Sequence, residues 1–382
     1  MIVKPALRLS ISRTFHLLLL SGLLFGCGGG ATDTASAPDI PFNIDVELYQ
    51  PVSRELPVAT PTEVGLNQAT ISATYQSALT QPDLRSMLVI KDNQLVAEAY
   101  FNDTSAESKL HMRSVTKTVT AMLIGIAVEQ GLLEGIEQPI GEFFIQDYPS
   151  ISADKTDITV ADLLTMTSGF SWDEGAYLEW EDSADPTAYL LNKNIVAPPG
   201  TDFHYNSAAV HLLAVILDKV TGGELDHFVE LNLFTPLGIT DFRWDKLKDG
   251  RKNGGAGLQL RPIDTAKLSI MLLNNGRYNG FQIVPEIWIE NAKTQQVAFS
   301  GNNQFGALDL TGYGYLWWQG TGNTRRLDLA WGWGGQFIAS VQDKNLIVVT
   351  NSRHNVINTQ ADRQETANLA LIIDGIFTAL ED

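Results

Sequence analysis

The chain has 382 residues, with 26 Lys and Arg against 44 Asp and Glu, for a formal net charge of −18. So acidic a protein, without a basic tract carrying interleaved aromatics, is a poor candidate for nucleic-acid binding. One cysteine rules out an intramolecular disulfide, and the six histidines form no His-x-x-x-His or His-Glu-x-x-His pair, so no metal or cofactor is expected.

Taken in chain order, Lys4, Arg8 and Arg13 precede a short apolar run from Leu17 to Phe25, which reads as a signal peptide rather than a membrane span. It ends at Leu24-Phe25-Gly26-Cys27, which resembles a bacterial lipobox. That resemblance implies export, cleavage before Cys27 and lipidation of its thiol, with Gly28 implying an outer-membrane anchor facing the periplasm. Gly28-Gly29-Gly30 and the Ala/Thr/Asp/Ser/Pro run to about Pro41 read as a flexible tether. The expected layout is a signal over 1–26, a tether over 27–60 and a catalytic body over 61–382. Removing 1–26 takes away three positive charges and no acid, so −18 becomes −21. The body exceeds the ~250–300 residues at which a single core stops growing, which predicts two lobes.

Within the body, a helix is predicted from Asn67 to Leu79. The runs Arg85–Ile90 and Gln94–Phe101, joined by Lys91-Asp92-Asn93, give a β-hairpin signal. A long apolar helix opens at Ser114 and ends near Gln130-Gly131. From about 135 to 295 the pattern is helical and loop-rich, with helices at Ile158–Met166, at Ser207–Val220 and after Arg261-Pro262. Strand character returns at Tyr313–Trp318, Leu327–Trp331, Gln336–Val341 and Leu346–Asn351, before a last helix from about Ala361 to Leu380. The pattern implies an α+β fold: an antiparallel β-sheet flanked by N- and C-terminal helices, with an inserted mainly helical lobe. A cleft between the lobes is the natural place for a site.

Ser114 and Lys117 are three residues apart, so on a helix they share a face. The stretch that follows, Ala121 to Val128, is apolar almost all round and reads as a buried helix. A serine at its start has backbone N–H groups and the positive dipole end directed at it. A lysine in that apolar setting has its pKa lowered, and a neutral amine one turn away can serve as base for the hydroxyl. Ser152-Ala153-Asp154-Lys155 has the same spacing but no apolar helix after it, and reads as a loop. Tyr205 stands at a loop-to-helix junction, where its phenol could be held as phenolate, relay protons or simply pack. His204 beside it reads as a solvated loop histidine. In Trp331-Gly332-Trp333-Gly334-Gly335-Gln336 the glycines suit close approach of a ligand or another backbone.

These three stretches, in this order, resemble the serine β-lactamase-like family, which includes class C β-lactamases, D-aminopeptidases, esterases and 6-aminohexanoate-dimer hydrolases. The resemblance runs from about Leu66 to the C-terminus and includes His111-Met112-Arg113, Leu163 to Gly169 and Asn274 to Arg277. It implies Ser114 as acylated nucleophile, Lys117 as its base, Tyr205 as proton relay, and the N–H groups of Ser114 and Gln336 as oxyanion hole. Ser207, Trp333, Gly334 and Gly335 would contact substrate. Two departures bear on substrate. Tyr205-Asn206-Ser207 replaces Tyr-x-Asn, and Trp333-Gly334-Gly335 replaces Lys-Thr-Gly, removing the groups that hold a β-lactam carboxylate. The expectation is a monomeric serine hydrolase for small esters or amides, like the esterase or 6-aminohexanoate-dimer-hydrolase branches. The alternatives are a β-lactamase or D,D-peptidase, or a binding module that keeps the pocket without turnover. No Gly-x-Ser-x-Gly occurs, which removes the α/β-hydrolase reading.

Overall fold

The computed structural model describes residues 46–381. The expected signal peptide, Cys27 and the first part of the tether lie outside the described residues.

The first helix, α1 (Gln68–Ala78), begins where the Asn67 side chain accepts the Thr70 N–H at 3.0 Å, an N-cap. A hairpin follows, β1 (Leu84–Lys91) and β2 (Gln94–Tyr100), turned by Asp92 and Asn93 in the left-handed region. After the insert come β6 (Leu308–Tyr313), β7 (Trp318–Gly322), β8 (Arg325–Gly332), β9 (Gln336–Val341) and β10 (Leu346–Ser352). They join the hairpin in one nine-stranded sheet, in the order β2-β1-β10-β9-β8-β7-β6 and then the short strand Val297–Ala298, with a ninth strand, Gln304–Phe305, paired to β6 off this path. The pairings are antiparallel.

Every residue of β9 and β10 is buried, because the sheet is covered on both faces and its central strands are apolar throughout. On one face Met87, Val89, Phe337 and Val348 pack against α1 and the C-terminal segment, through Tyr75, Leu369 and Ile372. On the other, Leu88, Ile90, Ile338 and Val349 belong to the same core as Val119 and Leu123 of α2 (Thr116–Glu129), and the helix Pro262–Leu273 packs on β1 and β10. The insert contributes α3 (Val160–Leu164), α4 (Ser207–Val220) and α5 (Pro262–Leu273). Two of its strands join one from before α2 in a small sheet, β3 (Leu110–His111), β5 (Leu258–Leu260) and β4 (Arg243–Trp244) in that order, which the sequence pattern did not signal.

Four expectations are corrected. Residues 46–60, read as tether, pack along β2: Leu95 N–H donates to Pro57 O at 2.8 Å and the Val52 and Ser53 N–H groups both donate to Glu98. Tyr49 and Leu56 supply the apolar contacts that a tether lacks. In Tyr313–Trp318, read as one strand, Tyr313 ends β6 and Trp318 opens β7, and residues 314–317 form a buried connection between them, where Leu316 has φ 57° and its N–H donates to Leu164 O. Ser152-Ala153-Asp154-Lys155, read as a loop, opens a four-residue helix, with Ser152 exposed. The last helix, α6 (Asn358–Ala370), gives way to a π turn and a 3₁₀ turn by Ala379.

Candidate active site

The chain leaves β3 with Met112 N–H donating to Leu258 O at 2.8 Å, then Arg113 takes a left-handed φ of 47°. Ser114 follows within one 3₁₀ turn, Arg113–Val115, which runs straight into α2. Because α2 is buried on almost every side, Lys117 in its first turn is only 1 % exposed. Its Nζ lies 2.8 Å from Ser114 Oγ and 2.7 Å from Gly255 O. Burial lowers its pKa from 10.5 to about 8, while the Glu174 carboxylate pulls the other way. The sequence expectation of a helix-face Ser/Lys pair with a destabilised ammonium therefore matches the geometry.

Gly255 was missed in the sequence. Asn253 Oδ1 accepts both the Gly255 and Ala256 N–H groups at 3.1 Å, which turns the Gly255 carbonyl onto Lys117. A Cβ at Gly255 would stand 2.6 Å from Ser207 O, so only glycine lets this loop run between α4 and the lysine. The signal was the run Asn253-Gly254-Gly255-Ala256, a turn-rich stretch with no obvious strand or helix.

Tyr205 enters from the residue before the α4 N-cap, where Asn206 Oδ1 accepts the Ala209 N–H at 2.9 Å. Its ring lies 5.0 Å from Lys117 Nζ and stacks on Trp318 with centroids 5.6 Å apart and planes at 21°. Burial, reinforced by Glu174, raises the phenol pKa, against a lowering hydrogen bond with Ser114. That direction favours a neutral phenol beside the nucleophile over a phenolate. His204 is not a solvated loop residue, since its Nε2 is 2.5 Å from Trp172 O.

Ser207 is likewise redirected. Glu174 accepts its N–H at 2.7 Å and its hydroxyl at 2.9 Å, and also accepts the Trp172 indole N–H at 2.7 Å. The hydroxyl proton expected to reach substrate is committed to Glu174, a residue the sequence reading did not single out. Its pairing with Ser207 spans 33 positions, so no local spacing marks it.

The Trp-Gly-Gly stretch forms the turn between β8 and β9, with Gly332 opposite Gln336. Both strands pack against the Ser114 turn. At Gly332 a Cβ would stand 2.4 Å from Met112 O, so β8 ends directly against the turn that carries the nucleophile. The groups named as substrate contacts turn the other way. Trp333 Nε1 donates to Val356 O at 3.3 Å, Gly334 N–H donates to Glu365 Oε1 at 2.7 Å, and Gly335 O accepts from Asn368 Nδ2 at 2.9 Å. Gly334 and Gly335 have φ of 78° and 91°, which glycine adopts without strain. Gln336 spends its side chain on Trp333 O, Ser352 O and Ser352 N–H, at 3.1, 3.1 and 2.9 Å. Glu365 on α6 is buried, and burial lifts its pKa to about 8.

Among the described residues no group of three or more His, Cys, Asp or Glu is placed to hold a metal. The family model described as Beta-lactamase matches residues 85–371. The 6-aminohexanoate-dimer hydrolase of Paenarthrobacter ureafaciens is 26% identical over 296 residues, 72% of this chain and 74% of that protein. The D-alanyl-D-alanine-carboxypeptidase/endopeptidase AmpH of Escherichia coli is 24% identical over 169 residues, 41% of this chain and 44% of that one. A penicillin binding protein from Bacillus halodurans shares the fold with a TM-score of 0.60 at 19% identity, covering 78% of this chain and 99% of that one. With a Ser/Lys/Tyr cluster at the head of a buried helix and a family match over most of its length, the chain belongs to the beta-lactamase family of serine hydrolases.

Proposed function

We propose that Ser114 is acylated by a small ester or linear amide and that water then releases the acid. The observation that carries this reading is the 2.8 Å contact between Ser114 Oγ and a buried Lys117 amine. Lys117 takes the hydroxyl proton as Oγ attacks the acyl carbon, and neutral Tyr205 passes a proton to the leaving alkoxide or amine. The tetrahedral oxyanion is held by the backbone N–H groups of Ser114 and Gln336, a reading supported by the packing of β8 and β9 against the nucleophile turn.

The missing Lys-Thr side chains favour an uncharged acyl group over a β-lactam carboxylate. The likeness to a 6-aminohexanoate-dimer hydrolase over 72% of the chain supports linear amides as substrates alongside esters. A fluorophosphonate probe should modify Ser114 and leave Ser152 untouched, as read by mass spectrometry. A folded protein that takes no adduct at Ser114 refutes the reading and returns the chain to the binding-module alternative. The lipobox resemblance further supports anchoring of the mature chain through Cys27. Cys27→Ala should then move the protein from the membrane to the soluble fraction, and unchanged fractionation would refute the anchor.

A further inference from the structure

Immediately before Ser114 the backbone does something costly for its residue type. Arg113 sits at φ 47°, in the left-handed region where a Cβ crowds the following carbonyl and which residues other than Gly, Asn and Asp rarely enter. Such conformations persist only where neighbouring contacts hold them. Two hold this one. The Arg113 N–H donates to His111 Nδ1 at 3.0 Å, and Arg113 Nη2 donates to His354 O at 2.9 Å.

His111 is itself fixed. It lies on β3 opposite Gln259, stacks on the His354 ring at 4.7 Å and 20°, and turns Nε2 toward Asp245 Oδ2 at 3.7 Å. A ring nitrogen that accepts must be unprotonated, so the contact assigns the tautomer: lone pair on Nδ1, proton on Nε2. The surroundings agree, since burial, then Arg113 and His354, lower the His111 pKa to about 3.

We infer that His111 is a positioning residue of the hydrolase: by accepting the Arg113 N–H it locks the left-handed turn that delivers Ser114 Oγ to Lys117 Nζ. This rests on the acyl-enzyme reading above and adds to it a group that never touches substrate. The step it governs is orientation of the hydroxyl, where small misplacements have large rate effects.

The test compares side chains that differ in where they place an acceptor. His111→Asn puts its Oδ1 close to the position of Nδ1, whereas His111→Gln puts its oxygen nearer Nε2. Three readouts are taken: the rate of Ser114 modification by a fluorophosphonate, kcat and KM on an ester, and hydrogen exchange at the Arg113 amide. His111→Ala should slow modification and lower kcat about tenfold or more, leave KM and Tm nearly unchanged, and speed exchange at Arg113. His111→Asn should recover most of the rate and His111→Gln should not. Adding Arg113→Gly to His111→Ala should also recover rate, because glycine enters the left-handed region without help.

A wild-type rate in His111→Ala overturns the inference. So does a loss that is equal in Asn and Gln and is not relieved by Arg113→Gly. If His111→Ala fails to fold, the Asn/Gln contrast decides alone. Failure of the hydrolase reading looks different, because the wild-type protein would take no adduct at Ser114. Exchange at Arg113 would still report the His111 contact in that case, and an amide no slower in wild type than in the Ala variant would overturn it.

Discussion

Between pH 6 and 9, acylation of Ser114 by a neutral ester should follow deprotonation of Lys117. Only the free amine can take the hydroxyl proton, and burial brings its pKa from 10.5 to about 8. At pH 7 this raises the neutral fraction from about 0.03 % to about 9 %, a gain of roughly 300-fold in active base. The sign follows directly. Acidification through pH 8 protonates Lys117 and removes the base, so kcat/KM should fall about 50-fold from pH 8 to pH 6 and level off above about pH 9. Stopped-flow release of p-nitrophenol, at constant ionic strength, measures the limb. Glu365, also raised to about 8, is the competing titration near the site. Glu365→Gln removes that charge change while keeping an acceptor for the Gly334 N–H, and should leave the limb in place. A flat profile, a limb that vanishes in Glu365→Gln, or an active Lys117→Arg enzyme would each refute the reasoning.

The other predictions test the remaining parts of the site. Tyr205→Phe keeps the stack on Trp318 and removes the proton relay, so kcat should fall about 10²- to 10³-fold with little change in KM; a wild-type kcat would make Tyr205 a packing residue. Gly332→Ala places a Cβ 2.4 Å from Met112 O and should push β8 off the nucleophile turn, costing about 100-fold in kcat/KM while circular dichroism stays native. Full activity in that variant would show that the contact does not position the site. Glu174→Gln removes the negative charge that raises the Lys117 pKa, so the acid limb should move to lower pH. A limb that stays put or moves up would separate Glu174 from the base.

What the sequence made legible depends on how far apart the interacting groups lie along the chain. Ser114 and Lys117 are one helical turn apart, and the apolar run after them announced burial, so both the pair and the lowered amine pKa followed from spacing and context together. For Tyr205 only the place was legible, at the junction before the apolar run of α4, and its role as proton relay came from the family resemblance. The antiparallel sheet with its helical insert was legible from the order of strand-like and helical runs. The misreadings arose where a local pattern met a distant partner. Tyr313–Trp318 is apolar enough for a strand, yet its path is set by Ala292 and Leu164, against which Gly314 and Leu316 pack. Ser207 looked free for substrate until the fold brought Glu174 to it from 33 positions away. The Trp-Gly-Gly turn is the clearest case, because glycines that admit close approach do not say what approaches. Here it is α6, whose Glu365 and Asn368 take the Gly334 N–H and Gly335 carbonyl, leaving Gly332 to face the nucleophile turn. A motif of small residues therefore locates a place where backbone matters, and only the topology around it decides whether the neighbour is substrate or another part of the chain.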